Sequence, residues 1–378
     1  MHMFYLWPMR MPIILFALMS SGSIIAQGPD RASMQIRTSP DTNLETITIQ
    51  LVESAKADVE KIEAIYQFVI SRISYDHEAY RGGKRRINRS NKDVLRRGKA
   101  VCWGYAELIR EMCTYAGLIC ETVSGYAKGA QIPESALEKA NHAWNAVFLD
   151  DTWYLLDATW GSGIQYADDY FASRYGIDYF LTPPELFVKS HLPLLPMWQL
   201  LDCPVSFEAF NQGSVEANLI SCNYHFSDSI TSYIKLPPLH QRAKTMLVAY
   251  DLNQSELNRT QVGHAMIDVA IDEKEKSDLL MERDSHALAI EHLEAALQLF
   301  EMAKSYCTFY PWQEESHLFS AINLAQSYYE NYYQDSNRYD LVRTQFLMTR
   351  DLLAITPLKK ATRIQVSALI DQYLNVIH

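Results

Sequence analysis

The stretch NHAWNAVFLDDTWYLLD, residues 141–157, contains the pattern that decides the fold of this chain. Two apolar runs rich in aromatic side chains flank the pair Asp150-Asp151. Two such runs around a short polar turn are typical of a β-hairpin, so the sequence predicts two antiparallel strands here.

The register of this hairpin brings two reactive side chains together. With the turn centred on the two aspartates, Leu149 faces Thr152. His142 on the first strand and Asp157 at the end of the second are then diagonal neighbours on one face of the sheet. We expect them to lie within reach of an imidazole–carboxylate hydrogen bond.

A third reactive group lies upstream, in the stretch KAVCWGYA at residues 99–106. An apolar stripe predicts a helix that starts near Cys102 and ends at Gly117. Unpaired N–H groups and the dipole at a helix start favour the thiolate, and one such N–H can stabilise an oxyanion. A strand is predicted from Cys120 to Tyr126.

The order Cys, His, Asp predicts a catalytic triad. In this interpretation Cys102 is the nucleophile, His142 the general base and acid, and Asp157 the group that orients the histidine. Each residue alone would fit a structural role, and their combination favours catalysis. A zinc site built on Cys102 and His142 lacks further ligands at suitable spacing, so no metal or cofactor is predicted.

These motifs resemble the transglutaminase-like superfamily, and within it the group of the kyphoscoliosis peptidase and related exported bacterial proteins. The resemblance extends from Leu44 to Asp202 and includes ISYD at 73–76, GYAKG at 125–129, YFLTP at 179–183, HLP at 191–193 and WQLL at 198–201. It implies an α+β, papain-like core in which the helix bearing Cys102 packs on an antiparallel sheet.

The resemblance also implies the chemistry. A cysteine attacks an amide bond of a protein or peptide and forms a thioester, which water or an amine then resolves. Hydrolysis, by a peptidase or isopeptidase, is our first hypothesis. Amine transfer by a protein cross-linker and a non-catalytic adhesion or scaffold module remain the alternatives. No calcium loop of the EF-hand kind is present in the sequence.

The N-terminus predicts export. Arg10 precedes an apolar run from Met11 to Met19, and a small residue, Ala26, stands before Gln27. This pattern is typical of a signal peptide over residues 1–26, and the mature protein is expected to be secreted or periplasmic. The run is shorter than the roughly 20 apolar residues of a spanning helix, so no stable membrane insertion of the mature chain is expected.

Two domains are predicted after the signal peptide: a catalytic domain over 30–202 and an α-helical domain over 203–378. The second domain is predicted to resemble a helical-repeat array and to bind a protein partner. Its predicted helices are 243–250, 262–271, 287–303, 318–329, 339–353 and 364–377. Upstream, one long helix is expected over 44–73.

The net charge of the chain limits the classes of molecule that it can bind. The 378 residues carry a formal net charge of −11, which argues against nucleic-acid binding by the whole chain. The segment from Arg81 to Lys99 is an exception, since nine basic residues against Asp93 give it a net charge of +8. We expect a loop here, either a solvated one or one that attracts an anionic protein or peptide substrate.

Overall fold

The structure is a computed structural model. It describes residues 43–81, 90–128, 137, 140–163, 178–214, 223–252, 254–283, 285–332 and 335–377. The predicted signal peptide and residues 82–89 of the basic segment lie outside this part of the chain. None of the helices in the described ranges is long and apolar enough to cross a membrane.

The first half of the chain combines short helices with a four-stranded sheet. Its elements are α1 Leu44–Val52, α2 Asp58–Arg72, β1 Ser74–Tyr75, α3 His77–Arg81, α4 Asn91–Arg97, β2 Lys99–Ala100, α5 Cys102–Tyr115, β3 Ile119–Ala127, β4 His142–Leu149, β5 Thr152–Leu156, α6 Ala158–Gly161, α7 Pro184–Phe187, β6 His191–Pro193, a 3-10 helix Pro196–Gln199 and α8 Phe207–Gln212. The sheet has the order β5-β4-β3-β6 and is antiparallel throughout, and α5 packs on β3 and β4. The predicted α+β core is confirmed.

The hairpin of β4 and β5 has the predicted register. Leu149 pairs with Thr152, and four further pairs follow along the strands. Asp150 and Asp151 have φ angles of 47° and 61°, the left-handed conformation that a tight two-residue hairpin turn requires. Aspartate tolerates this conformation better than most residues, which explains why the turn lies at this pair.

Both faces of the sheet are buried. On one face α2 and α5 pack against the sheet, and the core includes Phe68, Leu108, Met112 and Val147. The opposite face contributes Trp144 and Trp153 to a second core, in which they pack with Trp198 and Tyr233 from later in the chain. The strands therefore lie between two apolar layers, which fits their long apolar runs.

The prediction of one helix over 44–73 was wrong. Two helices, α1 and α2, occupy this range and are separated after Val52. No glycine or proline marks the break. The first helix packs Ile47 into the same core as Ile62 of the second, and an uninterrupted helix could not fold back to do so. Tertiary packing overrides local helix propensity here.

The prediction of a loop over the whole basic segment was also wrong. Helix α4 begins after Ser90, whose side chain accepts a hydrogen bond from the backbone N–H of Asp93. It ends at Gly98, which has a φ of 61°. These are ordinary helix caps. They were not recognised in the sequence because the segment is dominated by basic residues.

The second half of the chain is entirely helical in the described residues. Its elements are α9 Phe226–Ile234, α10 Pro238–Leu252, α11 Glu256–Met281, α12 His286–Lys304, α13 Pro311–Tyr332, a 3-10 turn Ser336–Arg338, α14 Tyr339–Ile355 and α15 Lys360–Val376. From α10 onward each long helix packs against the next along the chain. The predicted helices are confirmed, with α9 added.

The predicted boundary at Asp202 remains a prediction. Tyr233 of α9 contacts Trp198 with ring centroids 6.2 Å apart, and Ala249 of α10 belongs to the same apolar cluster as Tyr126 of β3. Helices α9 and α10, which follow the predicted boundary, thus share cores with the sheet. Cys203 is disulfide-bonded, which its spacing did not predict, and its partner lies outside the described residues.

Candidate active site

His142 and Asp157 form the predicted pair. His142 is the first residue of β4, and Asp157 follows the last residue of β5. The imidazole Nε2 lies 2.8 Å from the carboxylate Oδ2. The His142 side chain is 7% exposed and that of Asp157 is fully buried. The hairpin register therefore produces the hydrogen bond that was expected from it.

The carboxylate of Asp157 receives four donors. Oδ1 accepts the backbone N–H groups of Thr159 and Trp160, at 2.8 and 3.3 Å, so Asp157 also caps α6. Oδ2 accepts from His142 and from a second histidine, His191. Burial acts to raise the pKa of Asp157, but the charge of His142 and the hydrogen bonds of both histidines hold that pKa well below its usual range.

Tyr66 of α2 fixes the backbone at this point. Its hydroxyl donates to the carbonyl oxygen of Asp157 at 3.3 Å. A Cβ atom placed on Gly161 would lie only 1.9 Å from the same hydroxyl oxygen. Glycine at this position thus allows α6 to approach α2 closely. This close packing fixes Asp157, the residue before α6, next to His142.

Cys102 is half-buried and is the first residue of α5. The turn that follows it is held by the N–H of Gly104, which donates to the Val101 carbonyl at 2.8 Å. The N–H of Cys102 itself lies before the first helical hydrogen bond, at the positive end of the helix dipole. An oxygen anion bound beside the sulfur would meet this end of the helix.

Cys102 is one of the groups that raise the proton affinity of the His142 imidazole. Burial lowers that affinity, but the charge and hydrogen bond of Asp157, followed by the hydrogen bond and charge of Cys102, raise the pKa of His142 to about 10. The structure brings His142 and Asp157 together, and the role of Cys102 as the nucleophile beside them remains a prediction. The raised pKa favours the imidazolium form of His142 next to the carboxylate.

His191 is a site residue that sequence reasoning missed. It begins β6, its side chain is fully buried, and its Nε2 lies 3.2 Å from Oδ2 of Asp157. Burial lowers the pKa of His191 to about 4, against the opposing effect of Asp157. The motif HLP belonged to the family resemblance, but no spacing rule linked His191 to a carboxylate 34 residues earlier.

An aromatic shell surrounds the two histidines. The ring of Trp160 lies 5.7 Å from that of His142 and 4.5 Å from that of His191. Phe187 stacks on His191 at 4.2 Å. Beside this shell lies a cavity of about 390 Å³, lined by Asp178, Tyr179, Phe180, Thr182, Pro183, Leu186, Phe187 and Ser190. The shell limits the approach of water to the carboxylate, which strengthens its hydrogen bonds.

His142, Asp157 and His191 have donor atoms within 4.8 Å of one another, the spacing of a group that could hold a metal ion. No other such group occurs in the part of the chain that the structure describes. Both nitrogen–oxygen distances, 2.8 and 3.2 Å, are those of N–H···O hydrogen bonds. We therefore assign the three residues to a hydrogen-bonded network.

Comparison with known proteins finds relatives over about half of the chain. Kyphoscoliosis peptidase from Mus musculus is 40% identical over 172 residues, which cover 45% of this chain and 26% of that protein. The Homo sapiens protein is 39% identical over 172 residues, which again cover 45% of this chain and 26% of that protein. Hillarin from Drosophila melanogaster is 25% identical over 218 residues, which cover 53% of this chain and 26% of that protein. The chain thus spans about a quarter of the length of these curated relatives.

A solved structure of a TGase is 21% identical, with a TM-score of 0.26, over 36% of this chain and 35% of that one. The relatives named above are animal proteins, so the exported bacterial group of the resemblance remains a prediction. Residues 45–158 match the family model described as Transglutaminase-like superfamily. The segment that holds Cys102, His142 and Asp157 is a transglutaminase-like domain.

Proposed function

We propose that this chain is a cysteine hydrolase that cleaves amide bonds of proteins or peptides through a thioester on Cys102. One observation carries the proposal: His142 lies 2.8 Å from the buried carboxylate of Asp157, and Asp157 and Cys102 raise the pKa of His142 to about 10 against the lowering effect of burial. An imidazolium that persists at neutral pH supports a thiolate beside it, and the thiolate is the nucleophilic form of cysteine.

The reaction follows from these positions. The sulfur attacks the carbonyl carbon, and the oxyanion that develops lies at the N-terminus of α5. His142 then gives its proton to the leaving amine, and the C–N bond breaks to leave a thioester. Water attacks the thioester carbon while His142 takes one of its protons. The C–S bond then breaks, which releases the carboxylic acid and restores the thiolate of Cys102 beside the imidazolium of His142. Asp157 keeps the imidazole oriented throughout.

Hydrolysis is preferred to amine transfer because the relatives of about 40% identity are named peptidases. Amine transfer would use the same thioester with a lysine or another primary amine in place of water. A non-catalytic scaffold would not require a buried, fully hydrogen-bonded carboxylate next to the histidine. Burying such a group costs free energy that a binding module has no reason to bear.

We further propose an exported protein of two domains, with a C-terminal helical domain that binds a protein partner. The signal-peptide pattern over residues 1–26 supports export. The disulfide at Cys203 supports it too, because disulfides persist in oxidising compartments and are rare in the cytosol. N-terminal sequencing of the protein recovered from culture medium or periplasm should start near Gln27.

The basic segment is proposed to attract an anionic substrate, and two of its arginines have other partners. Arg97 lies 3.3 Å from the buried carboxylate of Asp76, and Arg96 pairs with Asp93 at 3.1 Å. The proposal therefore rests on the remaining basic residues of the segment. Turnover of an acidic peptide should fall as ionic strength rises, whereas that of a neutral peptide should not.

The deciding experiment is mass spectrometry of peptide pools incubated with the wild-type protein, with and without a primary amine. Cys102→Ala is the test variant, and Cys307→Ala is the matched control because Cys307 is also free and partly exposed. Cleavage that disappears only in Cys102→Ala supports hydrolysis. Incorporation of the amine supports transfer, and unchanged pools with an unreactive Cys102 favour the scaffold.

A further inference from the structure

We propose that His191 is a positioning residue of the site, a neutral hydrogen-bond donor that holds the carboxylate of Asp157 in place for His142. This inference rests on the proposed function, since it concerns the same reactive cysteine. It assigns a role to a buried histidine that the triad itself does not use.

The contacts of His191 are specific. Its Nε2 lies 3.2 Å from Oδ2 of Asp157, the same oxygen that His142 approaches at 2.8 Å. Its Nδ1 lies 2.8 Å from the hydroxyl oxygen of Ser190. Both ring nitrogens are therefore engaged, and the ring has one orientation that satisfies both partners.

The donor and acceptor roles follow from the carboxylate. An ionised carboxylate can only accept, so Nε2 of His191 carries a proton and donates it. In the neutral ring Nδ1 then accepts from the hydroxyl of Ser190. Asp157 thus sets the tautomer of His191, and the hydroxyl of Ser190 satisfies the second ring nitrogen, as an outer partner often does for a functional histidine.

The fold holds this donor rigidly. Strand β3 pairs with β4 on one side, with Gly125 opposite His142, and with β6 on the other, with Ala127 opposite His191. One strand therefore sets the positions of both histidines. The ring of His191 is stacked on Phe187 at 4.2 Å and packs against Trp160 at 4.5 Å.

The chemical consequence concerns the ion pair of Cys102 and His142. Asp157 stabilises the imidazolium only while its carboxylate stays aligned, and the thiolate depends on that imidazolium. Three tyrosines, Tyr66, Tyr105 and Tyr179, also feel the charge of this carboxylate, and burial is the largest cause that raises the pKa of each. The hydroxyls of Tyr66 and Tyr105 donate to the backbone carbonyls of Asp157 and Ile73, so these two groups are engaged elsewhere than at the carboxylate.

The test is the rate of Cys102 alkylation by iodoacetamide as a function of pH, in the full-length protein. His191→Phe keeps an aromatic ring against Phe187 but removes the donor. The rise of the labelling rate on the acidic side of the profile, its acid limb, should shift to higher pH by about one unit. At a given acidic pH, labelling of Cys102 is then about tenfold slower. His191→Gln, whose amide can donate at similar reach, should restore part of the shift.

Ser190→Ala provides a second, milder variant in case His191→Phe does not fold. It should move the acid limb in the same direction by less, since it removes the hydrogen-bond partner of Nδ1 but keeps the ring and its bond to Asp157. Thermal unfolding of each variant separates stability from reactivity. An acid limb that stays in place or moves to lower pH in folded His191→Phe overturns the positioning role while leaving the proposed function intact. If Cys102 of the wild-type protein is no more reactive at acidic pH than an ordinary thiol, both the positioning role of His191 and the proposed function are wrong.

Discussion

Charged and titratable side chains are placed differently in the two halves of the chain. The sheet-containing half buries three of them together, Asp157 with His142 and His191, at nitrogen–oxygen distances of 2.8 and 3.2 Å. In the helical half most ion pairs join neighbours on one helix surface, such as Lys304 with Glu301 at 2.7 Å.

The difference indicates what each half does. Exposed pairs three or four residues apart contribute only about 0–1 kcal/mol each, and they mainly keep a helix face polar. A buried charge network costs desolvation free energy and persists where its chemistry is needed. The fully buried network therefore marks the candidate site. Its nearest counterpart in the described part of the helical half is more exposed, since Glu273 and His292, 2.6 Å apart, have side chains 12% and 36% exposed.

The largest expected effect is on the reactivity of Cys102. An ordinary thiol is only about 0.3% thiolate at pH 6, so selective alkylation there reports a thiolate held by an imidazolium. His142→Ala should slow labelling of Cys102 on the order of 10²- to 10³-fold. Asp157→Ala should slow it less, because it removes the orienting group alone. Peptide mapping after brief exposure to iodoacetamide measures each site.

The other described free cysteines are the internal controls for this measurement. Cys113 and Cys120 are buried, and burial raises the pKa of Cys120 well above its usual value. Neither should be labelled in the folded protein. Equal labelling of several cysteines, or labelling of Cys102 that ignores His142→Ala, would contradict the buried network as a working unit.

A core substitution tests whether the two halves unfold separately. Phe300 is fully buried in the helical half, and Phe68 is fully buried in the sheet-containing half. Each Phe→Ala change should cost about 4 kcal/mol. If the halves unfold independently, Phe300→Ala should lower the urea midpoint measured by circular dichroism. The urea midpoint at which selective Cys102 labelling is lost should stay the same. Phe68→Ala should lower the labelling midpoint. Equal shifts in both signals would show one cooperative unit.

Two fragments examine the boundary more closely. Residues 30–202 contain the triad, and the sequence predicts that this fragment folds alone. Residues 30–252 add α8, α9 and α10, and with α9 the buried side chains of Ile230 and Tyr233 that pack in the core with Trp198. We expect the longer fragment to be more stable by about 3 kcal/mol, from the burial of two large apolar side chains. Urea unfolding of the two fragments measures this difference. Equal midpoints for the two fragments would place the domain boundary at Asp202.

Local patterns predicted part of the site correctly. The turn at Asp150-Asp151 and the alternation of strand side chains fix the register, so the contact of His142 with Asp157 could be predicted without a structure. The start of α5 at Cys102 followed from its apolar stripe. These features depend on neighbours in the chain, where spacing rules apply.

Contacts between distant segments could not be predicted in this way. His191 reaches Asp157 because β6 joins the far side of β3, and nothing in the intervening segment specifies that pairing. The packing of Tyr233 on Trp198 is of the same kind. Likewise, the break after Val52 depends on the shared core of α1 and α2.

The smallest expected effect concerns a buried histidine in the helical half, His317. It stacks on Phe300 at 5.0 Å, its Nδ1 has no hydrogen-bond partner in the described residues, and burial lowers its pKa to about 4. A histidine whose pKa is lower in the folded than in the unfolded protein stabilises the fold fully above about pH 6.5. That stability is lost as the pH falls towards 4, because the unfolded chain binds the proton more tightly.

His317→Leu should therefore flatten the dependence of stability on pH. Between pH 7 and pH 5 the free energy of unfolding of the variant should fall by about 2 kcal/mol less than that of the wild type. Urea unfolding followed by circular dichroism at both pH values measures this, with His225→Leu, which changes an exposed histidine, as the control. His191 has the same sign of shift but stands in the hydrogen-bonded network, so its loss also changes Cys102 labelling, whereas His317→Leu should leave labelling unchanged. Slower labelling in His317→Leu would mean that the helical half is coupled to the site, and the contrast between the two halves would fail.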